Sequence, residues 1–298
     1  MPVSTRFTRV LLASVIATGG AVGVAGSAFA ETPERDGYTA VIAPPGTEVS
    51  LVPGDLTAQG RPGGGGGGGG GGPKVSRGYD ISYPQCGGAF PSNPAFGIVG
   101  VNGGKVFSVN PCLTAQVAWG GGAVAELYAN TGNPGPALSS HWPSGQTSPR
   151  VCDATNPDTA DCAYDYGWNA AQHSFQTAAA AYQSLGISTS PASTRWWLDV
   201  ETSNSWRADP SLNVAALAGE VDYLRTVAGV TRLGFYSTQQ QWNTITDGSF
   251  AFSAYPSWFA GGSTLKGAQQ LCTRPAFTGG ATGLAQYFAA GFDADLAC

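Results

Sequence analysis

From residue 78 onward, short apolar runs alternate with amphipathic stretches. β-like runs occupy residues 78–82, 97–101, 123–129, 196–201, 232–237, 257–260 and 284–288, each four to seven residues long and bounded by glycine, proline or small polar residues. Helical patterns stand out twice between them. One covers 169–185 and stops at Gly186; the other covers 210–228, with Asp209 placed to cap it and Pro210 in its first turn. In the second, Val214, Leu217, Val221, Leu224 and Ala228 recur at three- and four-residue spacing and mark one buried face. Alternation of strand and helix implies a parallel α/β sheet, and so many repeats in this length suggest a closed (β/α) barrel. An open doubly wound sheet is the alternative.

The first 77 residues follow none of these patterns. Residues 1–30 carry Arg6 and Arg9, then an apolar, small-residue run diluted by Gly19, Gly20, Gly23 and Gly26, and end in Ala28-Phe29-Ala30 before Glu31. That order predicts a cleaved secretory signal rather than a membrane anchor. No later stretch is apolar for long enough to span a bilayer, so no stable membrane insertion is expected after cleavage. Residues 31–62 are short and turn-rich, expected to be largely disordered or at most one weak hairpin. Ten consecutive glycines, Gly63 to Gly72, stand between Pro62 and Pro73 and predict a flexible linker over 63–77. The working domain is then 78–298.

Cysteine content agrees with export. Cys86, Cys112, Cys152, Cys162, Cys272 and Cys298 all follow the signal and are even in number, which predicts three disulfides. Pairing by sequence neighbours gives Cys86 with Cys112, Cys152 with Cys162 and Cys272 with Cys298. A metal site is not expected, because no C-x-x-C occurs and His141 and His173 are the only histidines; no cofactor motif is found either. Without Arg6 and Arg9, 12 basic residues face 19 acidic ones, a net charge of −7 that would repel nucleic acid. Eight tryptophans in a chain with 11% charged residues leave aromatic surface for a ligand such as a sugar.

The segment Trp196-Trp197-Leu198-Asp199-Val200-Glu201 is the most informative. Alternation puts Trp196, Leu198 and Val200 on one face and Trp197, Asp199 and Glu201 on the other. In a parallel barrel the first face packs on helices, so the second points inward with its acids at the C-terminal end, where active sites form. At about 3.3 Å per residue the two acids attach roughly 6.6 Å apart, close enough to perturb each other's ionisation. A proton donor beside a charged carboxylate is what glycosidic cleavage needs. The bland alternative is an acidic strand end meeting Arg195 or Arg207.

These residues sit in a recognisable order. Over 78–298 the chain resembles the family-25 glycoside hydrolases, the N-acetylmuramidase lysozymes. Gly78-Tyr79-Asp80-Ile81-Ser82 with Gln85 is similar to the family's first strand, and Leu198-Asp199-Val200-Glu201 to its L-D-V-E strand. Tyr236-Ser237 with Trp242, Trp258-Phe259-Ala260, and Gln286-Tyr287 with a later Asp resemble the elements that follow. The resemblance implies a modified TIM-type (β/α) barrel, a single globular domain that cleaves the β-1,4 bond after N-acetylmuramic acid in peptidoglycan. It makes Glu201 the general acid, Asp199 its partner stabilising the cationic intermediate or the substrate's acetamido group, and Asp80 a further acid at the mouth. The fourth carboxylate is Asp295 or Asp293, with the match of Asp295-Leu296 to the family's D-L favouring Asp295. Tyr128, Trp197, Tyr236, Trp258 and Gln286 would bind the sugar.

Two departures stand out. Where the family's third strand continues into K-A-[TS]-E-G, this chain has Val101-Asn102-Gly103-Gly104, and the tryptophan before Gln-Tyr is Ala285. The Cys152–Cys162 excursion could also narrow or cover the cleft. The expected protein is therefore a secreted or wall-associated monomer acting on peptidoglycan or a related polysaccharide. The alternative is an inactive wall-binding protein on the same barrel. A peptidase or esterase is disfavoured, since neither G-x-S-x-G nor H-E-x-x-H occurs.

Overall fold

Eight strands close into one barrel in chain order: β1 (Arg77–Ile81), β2 (Gly97–Gly100), β3 (Glu126–Asn130), β4 (Arg195–Asp199), β5 (Arg232–Ser237), β6 (Ser257–Gly262), β7 (Thr282–Ala289) and β8 (Phe292–Ala297). The structure, a computed structural model, describes residues 76–298. The expected signal 1–30, the segment 31–62 and nearly all of the 63–77 linker lie outside the described residues. Neighbouring strands from β1 to β7 pair in parallel, whereas β8 runs antiparallel to both β7 and β1. The closed α/β barrel is thus as expected, except that its last strand returns by a hairpin. Ala290 and Gly291 both take positive φ, 55° and 84°, the conformation a two-residue hairpin turn needs.

Five α-helices connect the strands: α1 (Leu113–Trp119), α2 (Ala160–Ser184), α3 (Pro210–Asp222), α4 (Gln239–Thr246) and α5 (Leu265–Leu271). The helix expected to start at residue 169 begins nine residues earlier, because the Thr159 side chain accepts from the Cys162 N–H and caps a first turn that also holds Asp161. The helix expected over 210–228 is α-helical only to Asp222 and finishes as a π-helical turn, Tyr223–Val227. Val101 to Gly104 follow the second strand, not a third. At the crossing of α2 and α3, a Cβ on Gly167 would lie 1.9 Å from the Ala216 carbonyl oxygen, and one on Gly219 1.9 Å from that of Tyr164. Two glycines therefore let these backbones touch.

Apolar residues fall into two layers. Trp196, Leu198 and Val200 of the β4 segment join Phe235, Phe259 and Ala285 in the large core between barrel and helices. Trp197 joins Ile98, Trp258 and Leu284 in a smaller cluster inside the barrel. The alternation at β4 thus sorts its side chains as the sequence predicts. The disulfides are Cys86–Cys112, Cys152–Cys162 and Cys272–Cys298, and no cysteine is left free. The third ties the chain after β8 to the end of α5. Among the described residues no helix is long and apolar enough to cross a membrane.

Candidate active site

The C-terminal ends of the parallel strands gather the acids. Asp80 lies on β1, Asp199 ends β4, and Glu201 stands two residues beyond it. Because β8 runs the other way, its N-terminal residue pair brings Asp293 to the same rim, opposite Asp80, while Asp295 lies one inward step deeper, opposite Gly78 and Gln286. Asp293 is exposed and Asp295 fully buried. None of these five carboxylates makes an ion pair with Arg or Lys among the described residues, so the reading of an acidic strand end held by Arg195 or Arg207 does not apply.

Three of them, Asp80, Asp199 and Asp295, are held by neutral donors instead. Asn130, at the end of β3 and level with Asp199 across the sheet, donates from Nδ2 to Asp199 Oδ2. Its own backbone is fixed by Asn102, which exchanges hydrogen bonds with the Asn130 N–H and carbonyl at 3.1 Å each. Asp199 Oδ1 is buried without a partner. Gln286 Nε2 donates to Asp80 Oδ2 at 2.9 Å, and its Oε1 accepts from the Tyr236 hydroxyl at 2.9 Å. Trp258 Nε1 donates to Asp295 Oδ1 at 2.9 Å. Gln241, in the first turn of α4, accepts from the Thr202 N–H at 2.7 Å and steadies the Glu201 carboxyl.

Burial raises the proton affinity of these acids. Asp199 is raised well above the usual carboxylate range, first by desolvation and then by the Glu201 charge, with Asn130 opposing. Glu201 is raised by desolvation, opposed by Gln241 and reinforced by the Asp293 charge. Asp80 and Asp295 are both raised well above the range, foremost by desolvation and with the Asp293 charge adding to each, while Asp295 Oδ2 is buried without a partner. The Tyr128 and Tyr236 phenols are pushed up by burial and by the acids around them, so both remain hydrogen-bond donors.

The aromatics divide by depth. Tyr128 and Tyr236 are half-buried below the rim, Tyr236 packing edge-on against Trp258 with centroids 4.5 Å apart. Trp197 and Trp258, expected to bind sugar, are 0% and 1% exposed and form the floor under the acids, because their inward positions fall one level down inside the barrel. Gly100 opens space for this layer, since a Cβ there would lie 2.7 Å from Tyr128 Cζ. Sequence reasoning did not single out Asn130 or Gln241. A polar residue ending the Leu127-Tyr128-Ala129 run was the only signal for Asn130.

A groove of about 310 Å³ is walled by Phe107, Thr131, His141, Tyr166, Asn204 and Ser205; none of the five carboxylates lines it, and it meets the acid-bearing segments through bonds to their backbone carbonyls. Thr131 donates from its N–H and hydroxyl to the Asp199 carbonyl, at 3.0 and 2.7 Å, and the Asn204 N–H donates to the Glu201 carbonyl at 3.1 Å. No residue of the Cys152–Cys162 excursion lines this groove; Pro134, Leu138 and His141, from the segment before it, build that side.

Asp295 gives a test of the electrostatics. A raised folded-state value means that its contribution to stability is present below the ordinary carboxylate range and is lost as pH rises through the raised value. Asp295→Asn keeps the acceptor for Trp258 and removes the titration. Thermal denaturation is expected to show the variant about 1–2 kcal/mol more stable than wild type at pH 8, roughly 2–8 °C in Tm, and no more stable at pH 4. Equal shifts at both pH values would contradict the buried proton.

Residues 166–272, a stretch containing Asp199 and Glu201, match the family model described as Lysozyme-like protein 1. That stretch is lysozyme-like in sequence. No curated protein matches the chain. Among solved structures, a muramidase from Trichobolus zukalii is 18% identical, covering 75% of this chain and 94% of its own, with a TM-score of 0.46. A family GH25 lysozyme from Aspergillus fumigatus is 15% identical over 75% of this chain and 94% of its own, TM-score 0.47. The bacterial lysozyme from Streptomyces coelicolor is 17% identical over 74% and 91%, TM-score 0.42.

Proposed function

We propose that this chain is an exported glycosidase that cleaves β-1,4 bonds of peptidoglycan after N-acetylmuramic acid. The observation that carries the reading is the set of carboxylates gathered at one barrel rim, none paired with a cation among the described residues. The lysozyme-like match over 166–272 supports the same reading. Export is supported by the fully disulfide-bonded cysteines and by the signal pattern of 1–30.

Glu201, whose carboxyl is raised by desolvation, donates its proton to the leaving glycosidic oxygen as the bond to the anomeric carbon breaks. Asp199, held by Asn130, faces the cationic centre or the acetamido N–H of the substrate with its unpaired Oδ1. The Asp80–Asp295 pair and Asp293 add negative potential at the same rim. Water then adds to the anomeric carbon, and the proton it loses restores the acid. Tyr128, Tyr236 and Gln286 orient sugar hydroxyls, and Trp197 and Trp258 hold that layer rigid from beneath.

Dye-labelled wall material tests the proposal. The purified mature chain is expected to release soluble dye with time in proportion to its concentration. Cosedimentation with the wall and no release would instead support a binding protein on the same barrel.

A further inference from the structure

We propose that the opposite end of the barrel carries a second site, which binds a phosphate oxyanion. A cavity of about 320 Å³ opens there, lined by Arg195, Arg225, Arg232, Thr231, Tyr255 and Pro256. Three of the nine Lys and Arg residues of 76–298 meet in this one place, although the chain as a whole is acidic. Arg195 and Arg232 begin β4 and β5 and stand directly opposite each other in the sheet register. Like charges so placed are destabilising. Their neutralisation from within is slight: Glu126 lies 3.9 Å from Arg195 Nε and already accepts from Trp197 Nε1 at 2.8 Å, and Arg225 and Arg232 make no ion pair among the described residues.

The guanidinium groups are preorganised rather than loose. Arg225 Nη1 donates to the Val230 and Thr231 carbonyls at 2.8 Å each, and Arg232 Nη2 donates to the Ser193 carbonyl at 2.9 Å. Arg195 lies against the Trp197 ring, 5.4 Å from its centroid. Each guanidinium has five N–H donors, so most remain for a ligand. Three guanidinium groups lining one cavity suit the several oxygens of a phosphate better than the two of a carboxylate. The cavity exceeds one phosphate, and Tyr255 and Pro256 offer an apolar wall for a short polyol attached to it. The acidic surface elsewhere restricts the contact to one phosphate group entering the cavity, which is the chemistry of free phosphate or of a phosphodiester in a wall polymer.

Calorimetric titration of the mature chain with inorganic phosphate at low ionic strength tests this. One saturable site is expected, weakened at least about tenfold in the Arg195→Gln/Arg232→Gln variant. Arg225 is left unchanged because its bonds hold the turn before β5, and an unaltered circular dichroism spectrum checks the fold. Glu201→Gln is expected to bind phosphate like wild type, so failure here is separable from failure of the glycosidase reading. Displacement of phosphate by poly(glycerol phosphate) assigns the site to a wall polymer, and its absence to free phosphate; both agree with the proposal. No saturable binding, equal binding by the double variant, or equal binding of acetate would overturn it.

Discussion

Glu201→Gln is expected to lower glycan cleavage about a thousandfold while leaving wall binding unchanged. The substitution keeps shape and hydrogen-bonding capacity beside Gln241 but removes the only proton at that position. Because Glu201 is half-buried and its carboxyl is raised by desolvation, the wild-type acid stays protonated above the ordinary carboxylate range. Its activity should fall as pH rises through that raised value, whereas the residual activity of the variant should lack this limb. Initial rates of reducing-end formation measure the first effect and cosedimentation the second. Equal rates for the two proteins would remove Glu201 from the chemistry.

Gly167→Ala is expected to be strongly damaging to the helical layer. The added carbon would sit 1.9 Å from the Ala216 carbonyl oxygen and 2.7 Å from its carbon, both backbone atoms that cannot rotate away. Helix α2 would have to withdraw from α3, opening the large core that contains Trp196 and Leu217. A loss of at least about 3 kcal/mol follows, or roughly 6–12 °C in Tm for a domain of this size. Gly88→Ala is the comparison, since its nearest neighbour is the Gln85 carbonyl oxygen at an ordinary 3.5 Å. Thermal melts of both variants should separate widely. Similar melts would mean that the two helices do not meet as described.

Much of this architecture was legible because the strands announce themselves in two ways. At β4, strict alternation separates the Trp196–Leu198 face from the Trp197–Asp199 face, and the barrel buries both. β8 was missed as a strand because its hairpin turns at Ala290-Gly291, which lacks the Asn or Asp that usually marks such a turn. The early start of α2 depends on the Thr159 cap, a local hydrogen bond in a polar stretch that shows little periodicity. The π-helical end of α3 is invisible to spacing, since Leu224 and Ala228 continue the same apolar face.

The acids could be read from motif order, but their surroundings could not. Asn130 reaches Asp199 only through the β3–β4 register, and Gln241 reaches the Glu201 segment only because α4 folds back over the rim. The depth of Trp197 and Trp258 likewise follows from strand stagger. Sequence shows that an aromatic faces inward, and only the closed sheet fixes the level at which it lies.

Digestion of purified peptidoglycan, followed by borohydride reduction and sugar analysis, tests the central claim most directly. The account predicts new reducing ends that are N-acetylmuramic acid, formed by wild type and nearly absent with Glu201→Gln. New ends on N-acetylglucosamine, or none above a protein-free control, would contradict it.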